Sequence, residues 1–306
     1  MIFPGQGSQR PGMGGPWRDH PSWQVVEEVS DATGRDVAAL LLDADAETLR
    51  ATRNAQLAAF ALSLVALDGA RQAGAGEAAL AAVAGHSLGE YTALVAAGHL
   101  SPTEGARLVA ARGDAMQHAS EANPGTMAAV IGLDPEAVAE ACSEVSEAWM
   151  ANDNAPGQVV VAGTRQGVEG AGEAARRRGA KRVIALAVGG AFHTPLMRPA
   201  QAPLDCALGD ARFTPSDVRV VANVDASPHH TDFAPLLSAQ LCSPVRWRQS
   251  LLAMAAMGVD RFLELGPGTE LSGMVKRTVP GAARANVAGP QDAASLGAFL
   301  AGGGSA

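Results

Sequence analysis

The segment Leu80-Ala81-Ala82-Val83-Ala84-Gly85-His86-Ser87-Leu88-Gly89 constrains this chain more than any other. A short apolar run stops at Gly85, and after Ser87 the apolar residues Leu88, Tyr91 and Val95 take helical spacing. The chain passes from a buried strand through a sharp turn into a helix, with Ser87 in the turn. Gly85 to Gly89 fits G-x-S-x-G, in which the positions two residues either side of the serine must lack bulk for the turn to close. Such a turn exposes the hydroxyl and aims the N–H groups of a helix N-terminus at a reacting carbonyl. The pattern alone arises by chance in a chain rich in Ala, Gly and Ser; the strand before it and the helix after it make Ser87 a candidate nucleophile.

A serine nucleophile needs a base. Of seven histidines, His86 is adjacent in sequence but points away from a neighbour on such a turn, so a structural role suits it better. His229-His230 lies in a Pro-, Asp- and Thr-rich loop and is expected to be solvated. His193 follows Gly189-Gly190-Ala191-Phe192 just past a strand end, where the active-site loops of α/β folds gather. It is the best candidate by position, and no partner acid for it is evident.

The rest of the pattern sets the architecture. Leu57, Phe60, Ala61, Leu64 and Val65 make one buried helix face. From 125 to 190 the order is strand (Met127 to Leu133), helix (from Asp134-Pro135 to about Ser146), strand (Trp149 to Ala151), turn (Asn154 to Gly157), strand (Val159 to Val161), helix (Gln166 to Arg178) and strand (Arg182 to Val188). That β-α-β-β-α-β succession predicts a ferredoxin-like subdomain. Strands at Arg219–Val224 and Arg261–Leu265, and a helix from Glu270 to Thr278, resume the earlier alternation. The expected fold is α/β: an α/β-hydrolase-like body from 1–124 and 191–306 with a ferredoxin-like insertion at 125–190. The tail 301–306 reads as flexible.

Composition removes whole classes. Hydrophobic residues are 47% and charged residues 18%, so the chain is not a disordered polyanion. Thirty-one acids against 23 bases exclude the basic footprint of a general nucleic-acid binder. Cys142, Cys206 and Cys242 are odd in number and far apart, which suggests inert thiols rather than disulfides or zinc. The best apolar run, Leu57 to Leu67, is about half of a bilayer span. With no visible signal peptide, a cytoplasmic monomer is expected.

Taken in order, Pro4-Gly5-Gln6-Gly7-Ser8-Gln9, Gly85-His86-Ser87-Leu88-Gly89-Glu90, Arg112-Gly113, Asn152–Gly157, Gly190-Ala191-Phe192-His193 and Glu264-Leu265-Gly266-Pro267-Gly268 resemble the malonyl-CoA:acyl carrier protein transacylase family over nearly the whole chain. That family includes the acyltransferase domains of polyketide synthases. Relatives carry a few more residues before Pro-Gly-Gln, so either the native start lies upstream of Met1 or the first strand is short.

The resemblance implies roles by position. Ser87 matches the nucleophile and His193 its base, whose other ring nitrogen is held by a main-chain carbonyl at the position of Arg246, where many relatives have Gln. Gln6 and Leu88 match the backbone donors of the oxyanion hole. Arg112 matches the arginine that binds the malonyl carboxylate, and a planar guanidinium suits two parallel bonds to a carboxylate. Phe192 and Leu88 accompany malonyl over methylmalonyl selection. Lys276 and Arg277 match a basic pair that contacts the carrier, and Arg176-Arg177-Arg178 with Lys181 and Arg182 is a second basic cluster. The implied partners are malonyl-CoA and acyl carrier protein, with no metal or redox cofactor. An acyltransferase for another acyl unit, a serine thioesterase acting on carrier proteins and a non-catalytic docking scaffold share parts of this pattern.

Overall fold

The computed structural model describes residues 1–76 and 80–301. Its strands are β1 (Ile2–Phe3), β2 (Val83–Gly85), β3 (Thr126–Ile131), β4 (Ala148–Ala155), β5 (Gln158–Gly163), β6 (Arg182–Ala185), β7 (Val220–Val221), β8 (Pro228–His229), β9 (Arg261–Leu265) and β10 (Ala283–Val287). The larger sheet has the order β10-β9-β1-β2-β7-β8, parallel throughout except for the antiparallel edge strand β8. Helices cover both faces of a parallel sheet, so its central strands read as apolar runs; β1, β2 and β7 are apolar and fully buried. The smaller sheet is antiparallel with the order β4-β5-β3-β6, and the Pro135–Ser143 and Arg165–Arg177 helices fall between its strands in sequence. Mixed α/β structure is thus what the alternation predicted. The expected flexible tail falls on 302–306, outside the described residues.

The helix expected around Leu57–Leu67 runs from Thr52 to Ala70 and is buried on nearly every side, not on one face. The sheet covers one side of it and the Pro102–Ala122 helix the other. The two helices meet at Gly105, where a Cβ would stand 2.8 Å from the Phe60 ring. This close approach sets Gln56 of the first helix against Arg112 of the second.

Two further expectations change for physical reasons. Trp149–Ala151 lengthens into β4, and the expected turn from Asn154 tightens to Pro156-Gly157, with Gly157 at φ +68°. The polar run Asn152-Asp153-Asn154 stays in the strand because each residue bonds to the larger body. Asn152 bridges Val245, Asp153 pairs with Arg248 at 2.8 Å, and Asn154 Oδ1 lies 2.8 Å from His86 Nε2. Arg219–Val224 contracts to β7, because Asn223 turns away from the ladder into the site described below. Asp134 precedes Pro135 as expected, but its side chain makes no capping hydrogen bond.

The turn at Ser87 depends on the glycines around it. A Cβ on Gly85 would lie 1.8 Å from the Gly89 carbonyl, and one on Gly89 would lie 2.2 Å from the Phe3 carbonyl oxygen. Backbone cannot give way as a side-chain tip can. Gly85→Ala is therefore expected to cost about 3 kcal/mol or more of stability. A thermal melt within a few degrees of the parent would contradict it.

Candidate active site

Ser87 sits between β2 and the Gly89–Ala96 helix with φ +52°, and His193 has φ +62°. Both are non-glycine residues held in the left-handed region, a strained conformation that collects at functional sites. Ser87 Oγ and His193 Nε2 are 2.8 Å apart, although 106 residues separate them in sequence. Both side chains are buried at the base of a cleft of about 270 Å³, whose walls include Gln6, Met127, Val160, Leu186 and Phe192.

The carbonyl at His193 Nδ1 is that of Gln240, at 2.9 Å, and not that of Arg246. The Arg246 carbonyl instead accepts from Ser250 N–H and Oγ–H at 2.9 and 3.0 Å, because it closes the first turn of the Trp247–Ala256 helix. Its side chain is exposed and its N–H donates to the Asn223 carbonyl. The principle of a main-chain support holds, but a residue six positions earlier supplies it.

Arg112 is fully buried. Its Nη2 donates to Ser87 Oγ at 3.1 Å and to Gln240 Oε1 at 2.9 Å, and its Nη1 donates to Gln56 Oε1 at 2.7 Å. The guanidinium carbon lies 5.6 Å from the centre of the Tyr91 ring. Its Nε has no partner among the described residues, and no carboxylate bonds to the guanidinium there. A buried cation held only by neutral oxygens is poised for an anion.

Gln6 lines the cleft, and Leu88 is the residue just before the Gly89–Ala96 helix. Neither backbone N–H donates to another described residue. Two free N–H groups beside a buried hydroxyl can serve a developing oxyanion. Phe192 is buried in the cleft wall next to His193.

Lys276 and Arg277 are exposed in the last turn of the Glu270–Thr278 helix, whose first turn lends Glu270 and Leu271 to the cleft, with Met274 between. Arg277 bonds to Gln158. The buried Glu264 carboxylate caps this helix by accepting from Leu271 and Ser272 N–H. In the second basic cluster, Arg177 and Arg178 both pair with Glu144.

Sequence reasoning missed Gln56, Glu90, Asn223 and Gln240. Asn223 Oδ1 accepts from Ser87 N–H at 2.6 Å and its Nδ2 donates to the Gly85 carbonyl at 2.7 Å, clamping the turn from both ends. Glu90 Oε2 accepts from Asn223 N–H at 3.0 Å and from Gln240 Nε2 at 2.8 Å. Only Glu90 carried a signal in the sequence, as a carboxylate next to the G-x-S-x-G turn.

Burial governs the titration of this site. His193 is pushed down to about 3 by burial and then by the Arg112 charge, against the pull of the Gln240 carbonyl and the Ser243 main chain. Glu90 is pushed up to about 7 by burial, against its bonds from Asn223 and Gln240 and the nearby Arg112 charge. A depressed imidazole stays neutral as pH falls, so the base form persists into acid. Acylation of Ser87 is therefore expected to stay level from about pH 8 to about pH 5.5, well past the ordinary imidazole value of about 6.5, because Glu90, which titrates within that range, still accepts both its bonds at Oε2 when its proton is carried on Oε1. Single-turnover rates check this; a fall with its midpoint at the ordinary value would contradict it.

Among the described residues, no three His, Cys, Asp or Glu side chains converge to hold a metal, the three cysteines are free, and no helix is long and apolar enough to cross a membrane.

Known proteins share both sequence and shape with this chain. A family profile described as "Acyl transferase domain" matches residues 1–301. Malonyl CoA-acyl carrier protein transacylase of Bacillus subtilis strain 168 is 40% identical, over 90% of this chain and 89% of that protein. Its counterpart in Escherichia coli K12 is 43% identical, over 91% and 92%. A malonyl-transacylase solved in complex with a type II PKS acyl-carrier protein superposes with a TM-score of 0.91 at 38% identity, covering 96% of each chain. With the profile matching almost end to end and relatives at this identity over nearly their full length, the chain belongs to the malonyl-CoA:acyl carrier protein transacylase family of acyl transferases.

Proposed function

We propose that this protein transfers a malonyl group from malonyl-CoA to the phosphopantetheine thiol of acyl carrier protein through a malonyl-serine intermediate. One observation carries the choice of acyl group: a fully buried guanidinium, 3.1 Å from Ser87 Oγ, whose hydrogen-bond partners among the described residues are all neutral oxygens. The malonyl carboxylate supplies the missing anion.

His193 Nε2 takes the Ser87 proton as Oγ attacks the thioester carbonyl. The Gln6 and Leu88 N–H groups hold the oxyanion. As the tetrahedral species collapses, the C–S bond breaks and CoA leaves with the proton from the imidazolium. The carrier thiol then gives its proton to His193, attacks the malonyl-serine ester, and Ser87 leaves with that proton. A carboxylate docked on Arg112 also offsets the second cause of the depressed His193 basicity, so the base strengthens when the right acyl group is bound. The steps need no metal or redox cofactor.

Phe192 narrows the cleft where a 2-methyl branch would lie, which favours malonyl over methylmalonyl by a methyl group's ~1–3 kcal/mol. The exposed Lys276 and Arg277 offer local positive charge to an acidic carrier, whatever the net charge of −8. In this reading 1–124 and 191–306 form an α/β-hydrolase-like body, and 125–190 a ferredoxin-like subdomain that covers the acyl cleft. The strand order β4-β5-β3-β6 and the contribution of Met127, Val160 and Leu186 to the cleft wall support it. The chain acts in the cytoplasm as a monomer.

The test is the intact mass of enzyme and carrier after incubation with malonyl-CoA and holo-carrier. A malonyl gain on the enzyme and then on the carrier is expected. Rapid release of free malonate with no loaded carrier would overturn the transferase in favour of a hydrolase.

A further inference from the structure

The carboxyl of Glu90 is 1% exposed and touches none of the reacting atoms named above. A buried acid of this kind needs a reason, since burial penalises it. Its bonds lead to all three working groups. One oxygen, Oε2, accepts both from Asn223 N–H and from Gln240 Nε2. Through Asn223 it reaches the turn that presents Ser87.

Through Gln240 it reaches the other two. The Gln240 side chain gives Nε2 to Glu90 and to the Ser87 carbonyl, at 2.8 and 3.1 Å, and so turns Oε1 toward Arg112 at 2.9 Å. The main-chain carbonyl of the same residue holds His193 Nδ1. An amide can face either way round. Glu90 Oε2, which also accepts from Asn223 N–H, on one side and a pure donor on the other leave Gln240 one orientation. If the amide flipped, its NH2 would face the guanidinium, donor against donor, and its oxygen would face Glu90 Oε2, acceptor against acceptor.

We propose that Glu90 is a positioning residue that locks the Gln240 amide and the Asn223 main chain, and thereby couples the Arg112 carboxylate clamp to the Ser87–His193 pair. The role is that of a hydrogen-bond acceptor at a single oxygen, so a glutamine, whose Oε1 takes the same place, fills it. This rests on the reading of Ser87, His193 and Arg112 given above.

The experiment measures single-turnover malonylation of Ser87 by intact mass, with a thermal melt of each variant. Glu90→Met keeps most of the volume without the acceptor; Glu90→Ala takes its place should the methionine variant not fold. Either is expected to slow acylation roughly 10²-fold, the scale of a misplaced catalytic group. Glu90→Gln is expected to restore the rate to within about threefold of the parent, since its oxygen accepts both bonds. Gln240→Ala, which leaves the main-chain carbonyl in place, is expected to slow acylation as well. The Glu90→Met/Gln240→Ala double variant should then lose about tenfold less than the product of the two single losses, because the two side chains act as one unit.

A Glu90→Met or Glu90→Ala enzyme at the parent rate overturns the proposal. So do a Glu90→Gln enzyme as slow as these, and losses that simply multiply in the double variant. If the parent itself forms no malonyl-serine, the reading of the site fails instead, which keeps the two failures apart.

Discussion

Ser87→Ala is expected to abolish both the malonyl adduct and carrier loading. The reaction as drawn has one covalent intermediate, and its oxygen is Ser87 Oγ, 2.8 Å from the only imidazole that reaches it among the described residues. Removing a nucleophile costs up to about 10⁶ in rate when what remains is binding and an oxyanion hole. The fold should survive, because alanine adopts the same buried turn with the Gly85 and Gly89 contacts unchanged; its lost hydroxyl frees one Arg112 bond that the cleft can satisfy with water. Intact mass after incubation with malonyl-CoA and holo-carrier reads the outcome. Loading at the parent rate by a folded Ser87→Ala protein would show that the site lies elsewhere.

Arg112→Ala should invert acyl preference. A carboxylate in a buried cleft without its guanidinium is an unpaired charge, and truncating one partner of such a pair costs about 2–5 kcal/mol, or roughly 30-fold to 5,000-fold in malonyl kcat/KM. The acetyl group brings no charge. In the parent it must leave the Arg112 cation without an anion, a penalty the alanine variant lacks. Acetyl transfer is therefore expected to fall less than about tenfold or to rise. Arg112→Lys should recover only part of the malonyl rate, since an ammonium keeps the charge but not the two-pronged geometry. Competition between malonyl-CoA and acetyl-CoA, read by mass on the enzyme, measures the ratio. Equal loss of both substrates would remove the carboxylate clamp.

What was legible in the sequence is what is encoded locally. The Ser87 turn is written in ten consecutive residues, because its constraint is steric: Gly85 and Gly89 must pass within van der Waals reach of backbone. The helices and strands around it follow from apolar periodicity, since a parallel sheet buried on both faces demands continuous apolar runs. Where periodicity and polarity disagreed, polarity misled. The sequence pattern ends the strand at Ala151 and starts a turn at Asn154, yet Asn152-Asp153-Asn154 all remain in the strand because Val245, Arg248 and His86, all remote in sequence, satisfy them.

Pattern and resemblance together pointed to Ser87, His193 and Arg112 as separate residues. Only the tertiary structure decided how they are held. The Gln240 carbonyl, not that of Arg246, orients His193, and Gln240 lies 153 residues from the serine whose carbonyl its side chain also binds. Glu90 meets Asn223 across 133 residues and Gln240 across 150. No local spacing records such partners, because a hydrogen bond is fixed by where folded backbone places a donor and an acceptor, and that placement is settled by the packing of the whole sheet and its helices. The amino-acid sequence by itself determined the turn that presents Ser87 and the alternation of strands and helices. The folded chain decided which carbonyl bonds to the His193 ring, which amide faces the arginine, and that one buried carboxyl bonds to that amide.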